Sequence, residues 1–200
     1  MVQFSIPVKS ESNSRRFFNF AVRENAVMFA GSRFGLVPNS VCTQLVEQFS
    51  KLGFGFFVGC ANGVDDCFRK AISETDAVTK SFVACAYMHR LERSYGIFAS
   101  VVVPFEVSPK AALVRRSLWM VKRSSMVVLF PDNPKTLSWG KGSTIVFNAA
   151  VSQIKPVFVV TKNPPKQSSL YKIIPSNFQG IVSGFWCVPH PTQDGTVDDE

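Results

Sequence analysis

Three short stretches concentrate the polar chemistry of this chain. Gly31-Ser32-Arg33 closes the apolar run Val27–Ala30, and Gly59-Cys60-Ala61-Asn62-Gly63-Val64-Asp65 closes Phe54–Val58. Gly140-Lys141-Gly142-Ser143-Thr144 leads into the apolar segment Ile145–Val151. Backbone N–H groups left open where a strand turns into a helix attract phosphate, and glycine lets a ligand approach the backbone closely. Arg33 adds a planar, permanently charged fork matched to phosphate oxygens. Lys141, Ser143 and Thr144 add a charge and two hydroxyls to the third stretch. Asp65 falls in the first turn of a helix, where it serves either as a partner for the helix dipole or as an acceptor for N–H groups or a ribose hydroxyl. A single glycine after a strand is most often only a turn. Three occurrences of the same grammar point to a ligand.

Metal and disulfide chemistry find less support. The five cysteines (Cys42, Cys60, Cys67, Cys85, Cys187) form no Cys-x-x-Cys pair, and His89 and His190 are the only histidines. No zinc-like ligand set emerges, and reduced, buried thiols in a cytoplasmic protein are the expectation. No cofactor and no metal are expected. Within 200 residues that are 46% hydrophobic, a sizeable core can form without staples. The net charge of +8 favours polyanionic partners such as nucleic acid, nucleotides or an anionic surface, although no long Lys/Arg block is present and generic basicity would look the same. Residues 1–10 lack a signal-peptide core, and no apolar run approaches the length of a membrane span.

The elements that must position these stretches follow from periodicity. Val2–Val8 alternates like an edge strand interrupted by Pro7. Arg15–Phe20 pairs charge with aromatics, as either a base-stacking surface or an amphipathic element with its Phe residues inward. Short apolar runs bounded by turn residues predict buried strands ending at Ala30, at Phe54–Val58, Ser81–Tyr87, Ser100–Val103, Met126–Phe130 and Pro156–Val160. Between them, helical spacing places helices at Ser40–Leu52, Val64–Ser73, Pro109–Lys122 and Ile145–Val151. His89–Arg93 reads as a charged, solvated loop. Ile181–Val188 is one more strand, expected to pair with the N-terminal one.

Alternating strands and helices imply an α/β, Rossmann-like fold: a mostly parallel sheet of about six or seven strands with helices on both faces. The division expected is an N-terminal strand or arm (1–25), the core (26–162), and a C-terminal extension with an acidic tail (163–200). In such sheets ligands sit at the C-terminal ends of the strands, so the three glycine-bearing turns should share that edge. Neither a Walker A loop nor Gly-x-Gly-x-x-Gly is present, which argues against a P-loop enzyme and an ordinary NAD enzyme.

Taken together with Arg116-Ser117, eight residues before Ser124, these turns resemble the SMF/LOG (SLOG) Rossmann superfamily, and in order and spacing the DNA-processing protein A (DprA/Smf) branch. The resemblance covers about 26–161. Its most specific part is Gly59-Cys60-Ala61-Asn62-Gly63-Val64-Asp65, against a family pattern of Gly-x-Ala-x-Gly-Ile/Val-Asp. It departs at Ser117, where Asn is usual, and shows no winged-helix or SAM-type domain. The resemblance implies binding of single-stranded DNA along the sheet edge. Gly31, Ser32, Arg33, Asn62, Gly63, Asp65, Arg116 and Gly140, Lys141, Gly142, Ser143, Thr144 are then the phosphate- or nucleic-acid-binding set. The sister LOG-type phosphoribohydrolases carry a catalytic Glu after the Gly-rich loop. Here Ile145-Val146-Phe147 follows, with no carboxylate in reach, so catalysis is not favoured. A nucleotide-sensing protein or a LOG-type nucleotide phosphoribohydrolase, and a subunit of a larger nucleoprotein complex or a homo-oligomer, are the competing expectations. Trp139 and Phe34 are candidates for stacking on bases, with Trp139 equally suited to folding back on the core.

Overall fold

The computed structural model describes residues 5–7, 17–19, 25–105, 107–134, 136 and 138–190. Two short strands, β1 (Ser5–Pro7) and β2 (Phe17–Asn19), pair antiparallel as a separate ribbon. The remaining strands form a single sheet: β3 (Ala26–Gly31), β4 (Gly55–Gly59), β5 (Ser81–Cys85), β6 (Ala99–Val101), β7 (Met126–Phe130), β8 (Val157–Val159), β9 (Tyr171–Phe178) and β10 (Val182–Pro189). Their order is β6-β5-β4-β3-β7-β8-β10-β9, parallel from β6 to β8 and closed by the antiparallel hairpin β9–β10.

Among the described residues, four α-helices cover the sheet: α1 (Asn39–Lys51), α2 (Val64–Ser73), α3 (Pro109–Arg123) and α4 (Lys141–Ser152). Successive residues of a strand face opposite sides, and β3 shows what that does here. Val27 and Phe29 enter a core with Leu45 and Phe49 of α1 and Phe68 and Ile72 of α2. Ala26, Met28 and Ala30 enter a second core with Met120 of α3 and Phe147 of α4. Phe29 is the centre of the first, stacked on Phe68 with ring centroids 3.9 Å apart. Because β3 is buried on both faces, its sequence is an unbroken apolar run rather than an alternating one.

Two expectations change. The strand Val182–Pro189 pairs with β8 and β9, not with the N-terminal strand. The sheet has eight strands, because Tyr171–Phe178 is a strand that its mixed polarity conceals. Only one face of β9 meets the core, so its buried Tyr171 is followed by exposed and half-exposed positions that include Pro175. The Arg15–Phe20 segment, apart from the backbone of Phe17–Asn19, and the acidic tail after His190 lie outside the described residues.

Candidate nucleic-acid interface

Strand order reverses at β3: the chain proceeds from it to β4 on one side, and β7 lies on the other. The crevice beyond the carboxyl ends at such a switch point is where open α/β sheets bind ligands. All three glycine-bearing turns end there, and two of them are stitched together by backbone hydrogen bonds. Ser32 N–H donates to Phe130 O at 2.9 Å, tying the first turn to β7. Val64 N–H donates to Ser32 O at 3.2 Å, tying the second turn to the first. Gly140 N–H donates to Pro131 O at 3.4 Å, closing the loop that leads from β7 into α4.

The first turn is built by Ser32, whose Oγ accepts from Phe34 N–H and whose carbonyl accepts from both Gly35 and Val64. Ser32 is therefore buried and spent on the turn, while Arg33 beside it is exposed and makes no hydrogen bond or ion pair with the described residues. Phe34 is also exposed, at 56%.

In the second turn, Gly63 precedes α2 with dihedrals of +72° and −131°, a region open essentially to glycine. A Cβ there would stand 2.5 Å from the Ser32 carbonyl oxygen and the Arg33 carbonyl carbon. The first and second turns thus touch backbone to backbone. The first three carbonyls of this turn are each claimed by a buried or half-buried arginine. Arg69, fully buried, donates from Nη1 to Gly59 O and to Ala61 O, and from Nη2 to Asp66 Oδ1 at 2.7 Å. Arg90 Nη1 donates to Cys60 O at 3.1 Å. Sequence reading missed Arg69, since an arginine inside an amphipathic helix reads as solvated. The signal available was Asp66 three residues before it, on the same helical face.

Arg116 and Asp65, both expected at the ligand, lie instead beneath the second turn. They form a buried ion pair, Arg116 Nη1 to Asp65 Oδ2 at 3.0 Å, and Asp65 Oδ2 also accepts from Ala61 N–H. Gly59 makes room for this pair: a Cβ on it would collide with the Arg116 guanidinium and the Asp65 carboxylate. Burial works against the charge on Arg116, but Asp65 and Cys60 outweigh it and hold the guanidinium above its ordinary value. Asp66 is lowered: partial burial pushes it up, and Arg69, a Tyr95 hydroxyl bond and Lys70 more than reverse that. Cys60 lies 3.8 Å from Arg116 Nη1; a hydrogen bond from Cys85, opposed by burial and aided by Arg116, brings its thiol down to about 5.

The third turn is helical sooner than its glycines suggest. Gly140 is the N-cap and α4 begins at Lys141, four residues before Ile145. Thr144 N–H is the first amide bonded back, to Gly140 O, so those of Lys141, Gly142 and Ser143 have no partner among the described residues. Lys141, Gly142 and Thr144 are exposed, whereas Ser143 is buried. Trp139 is half-buried and packs edge-to-face on Phe147, ring centroids 5.3 Å apart, so it folds back on the core. Asn62 is exposed and its Oδ1 accepts from Arg93 Nη1 at 2.8 Å.

With this geometry in place, solved structures supply the comparison. DNA processing protein A from Streptococcus pneumoniae matches with a TM-score of 0.52 and 17% identity, over 74% of this chain and 53% of that one. The chain shares the fold of DNA processing protein A. The protein of that name from Helicobacter pylori, which has a single-stranded DNA binding mode, matches with a TM-score of 0.49 and 17% identity, over 72% of this chain and 67% of that one. This chain thus spans about half the length of the pneumococcal DNA processing protein A. No protein-family model and no curated protein matches it. Among the described residues, no helix is long and apolar enough to cross a membrane.

Proposed function

We propose that this chain binds single-stranded nucleic acid across the crevice between β3 and β7. One observation supports the reading: Arg33, exposed and without a hydrogen bond or ion pair among the described residues, lies in the turn after β3, and the open amides of Lys141, Gly142 and Ser143 begin the helix that follows β7, the strand paired with β3. A cationic fork and a helix N-terminus facing a common crevice suit a phosphate bridging them. Nothing acidic occurs in α4, so the anion meets no competing carboxylate there. The shared fold with DNA processing protein A favours a nucleic-acid strand over a free nucleotide, and the net charge of +8 favours a polyanion.

In this reading the roles divide. Arg33 and Lys141 neutralise phosphates, the α4 amides and Gly142 admit one closely, and Asn62 and Gly63 line the second turn. Ser32, Asp65 and Arg116 hold the turns in place from behind. Binding is the function; no step of catalysis is assigned.

The test is anisotropy of a labelled oligothymidylate of about ten nucleotides, over a salt series. The logarithm of affinity should fall linearly with the logarithm of salt concentration, by about 0.7 per phosphate neutralised on a single strand. Combining Arg33→Ala with Lys141→Ala should lower the slope by about 1.4 and leave thermal unfolding unchanged. Undiminished binding in that double variant, or tighter stabilisation by a mononucleotide than by the oligonucleotide, would overturn the reading.

A further inference from the structure

Beside the second turn lies a segment that sequence alone reads as a solvated loop. Met88–Ser94 is a 3₁₀ stretch following β5, and two arginines fasten it over the turn. Arg90 reaches the Cys60 carbonyl, and Arg93 reaches the Asn62 side chain. Asn62 in turn precedes Gly63, whose backbone abuts that of Arg33. A continuous line therefore runs from Arg93 through Asn62 and Gly63 to Arg33, and Lys141 opens the helix that follows the next strand, β7. Together they cover four neighbouring strands, β5-β4-β3-β7, or about 14 Å at ~4.8 Å per strand interval.

Arg93 is exposed and uses one N–H on Asn62, so the rest of its guanidinium fork faces solvent. His89, also exposed, stacks on Tyr87 with centroids 5.4 Å apart and an interplanar angle of 10°. Tyr87 is itself held by its hydroxyl, which donates to the Pro109 carbonyl. The outcome is an exposed ring held parallel to Tyr87, on the same segment as Arg93 and following the carboxyl end of β5. Aromatic faces of this kind stack bases with little regard to sequence.

We propose that Met88–Ser94 is the second half of the nucleic-acid surface, with Arg93 taking a phosphate and the His89–Tyr87 stack receiving a base. A strand bound this way lies transverse to the sheet, crossing the ends of β7, β3, β4 and β5. The proposal rests on the nucleic-acid reading given above and extends it to residues outside the glycine-bearing turns.

Arg93→Ala and His89→Ala separate the two contacts in the same salt series. Arg93→Ala should weaken oligothymidylate binding at least fivefold and flatten the log–log salt slope by about 0.7, as a lost phosphate contact does. His89→Ala should weaken binding at least fivefold with the slope unchanged, as lost stacking does. A merely structural role for either residue would lower thermal stability without this split. If Arg33→Ala with Lys141→Ala abolishes binding while Arg93→Ala and His89→Ala both bind like the unsubstituted chain, this inference fails and the crevice reading stands. No binding by the unsubstituted chain at low salt overturns both.

Discussion

Arg116 and Asp65 face one another at a depth where neither retains more than 7% of its side-chain exposure. Two charges withdrawn from water are costly, and their attraction offsets that cost only while both are present. The pair is therefore a positioning device: Asp65 also holds the Ala61 amide, and Arg116 sits against Cys60, so the second turn hangs from it. Arg116→Leu should lower unfolding stability in urea by about 3–5 kcal/mol, because it strands a buried carboxylate. Adding Asp65→Asn should return much of that loss, since the amide oxygen still accepts from Ala61 and no bare charge remains. Strictly additive losses in the double-mutant cycle would show that the two side chains act independently. Residues of this kind explain why types and spacing alone do not tell a buried side chain from an exposed one. Arg33 and Arg116 are the same amino acid in the same candidate set, and only the sheet decides that one faces solvent and the other a carboxylate.

At the scale of elements, the strand ends and α2 were legible because apolar runs and 3.6-residue spacing are local signals. Val64–Ser73 and Met126–Phe130 have the limits their sequences suggest. The start of α4 was not legible: Gly140, Gly142 and two hydroxyl residues read as a turn, yet capping at Gly140 lets the helix begin at Lys141. That difference matters, because it converts a flexible glycine loop into a helix N-terminus with three fixed amides. It also isolates the purpose of Gly142. A Cβ there would meet nothing within 4 Å, and in a helix glycine is less stable than alanine by about 0.5–1 kcal/mol. Gly142→Ala should raise the melting temperature while weakening oligonucleotide binding, if its methyl group occupies the place proposed for a phosphate. A rise in stability with affinity untouched would place the ligand elsewhere.

For the whole molecule, the open question is how far the sheet depends on its last hairpin. The unit that carries all three turns ends in sequence near Thr161, and the hairpin follows it as an apparent appendage. In the structure it is no appendage. β10 lies against β8, with Trp186 and Phe178 packed on Phe158 at centroid distances of 5.0 and 5.7 Å. Phe178 also stacks on Phe49 of α1 at 4.9 Å, so the hairpin reaches the same core as β3. Gly184 lets this happen: a Cβ on it would collide with the Val159 carbonyl oxygen. Ending the chain after Lys162 would uncover Phe158 and leave β8, a three-residue strand, as an unprotected edge. Exposing one such aromatic forfeits about 1.5–3 kcal/mol of burial, a sizeable part of the stability of a domain this size. The truncated chain should therefore lose cooperative unfolding and self-associate on gel filtration, and lose nucleic-acid binding with it, although every proposed contact residue is retained. A truncated chain that stays monomeric, melts cooperatively and binds the oligonucleotide with unchanged affinity would show that β3 to β8 suffices to hold the crevice.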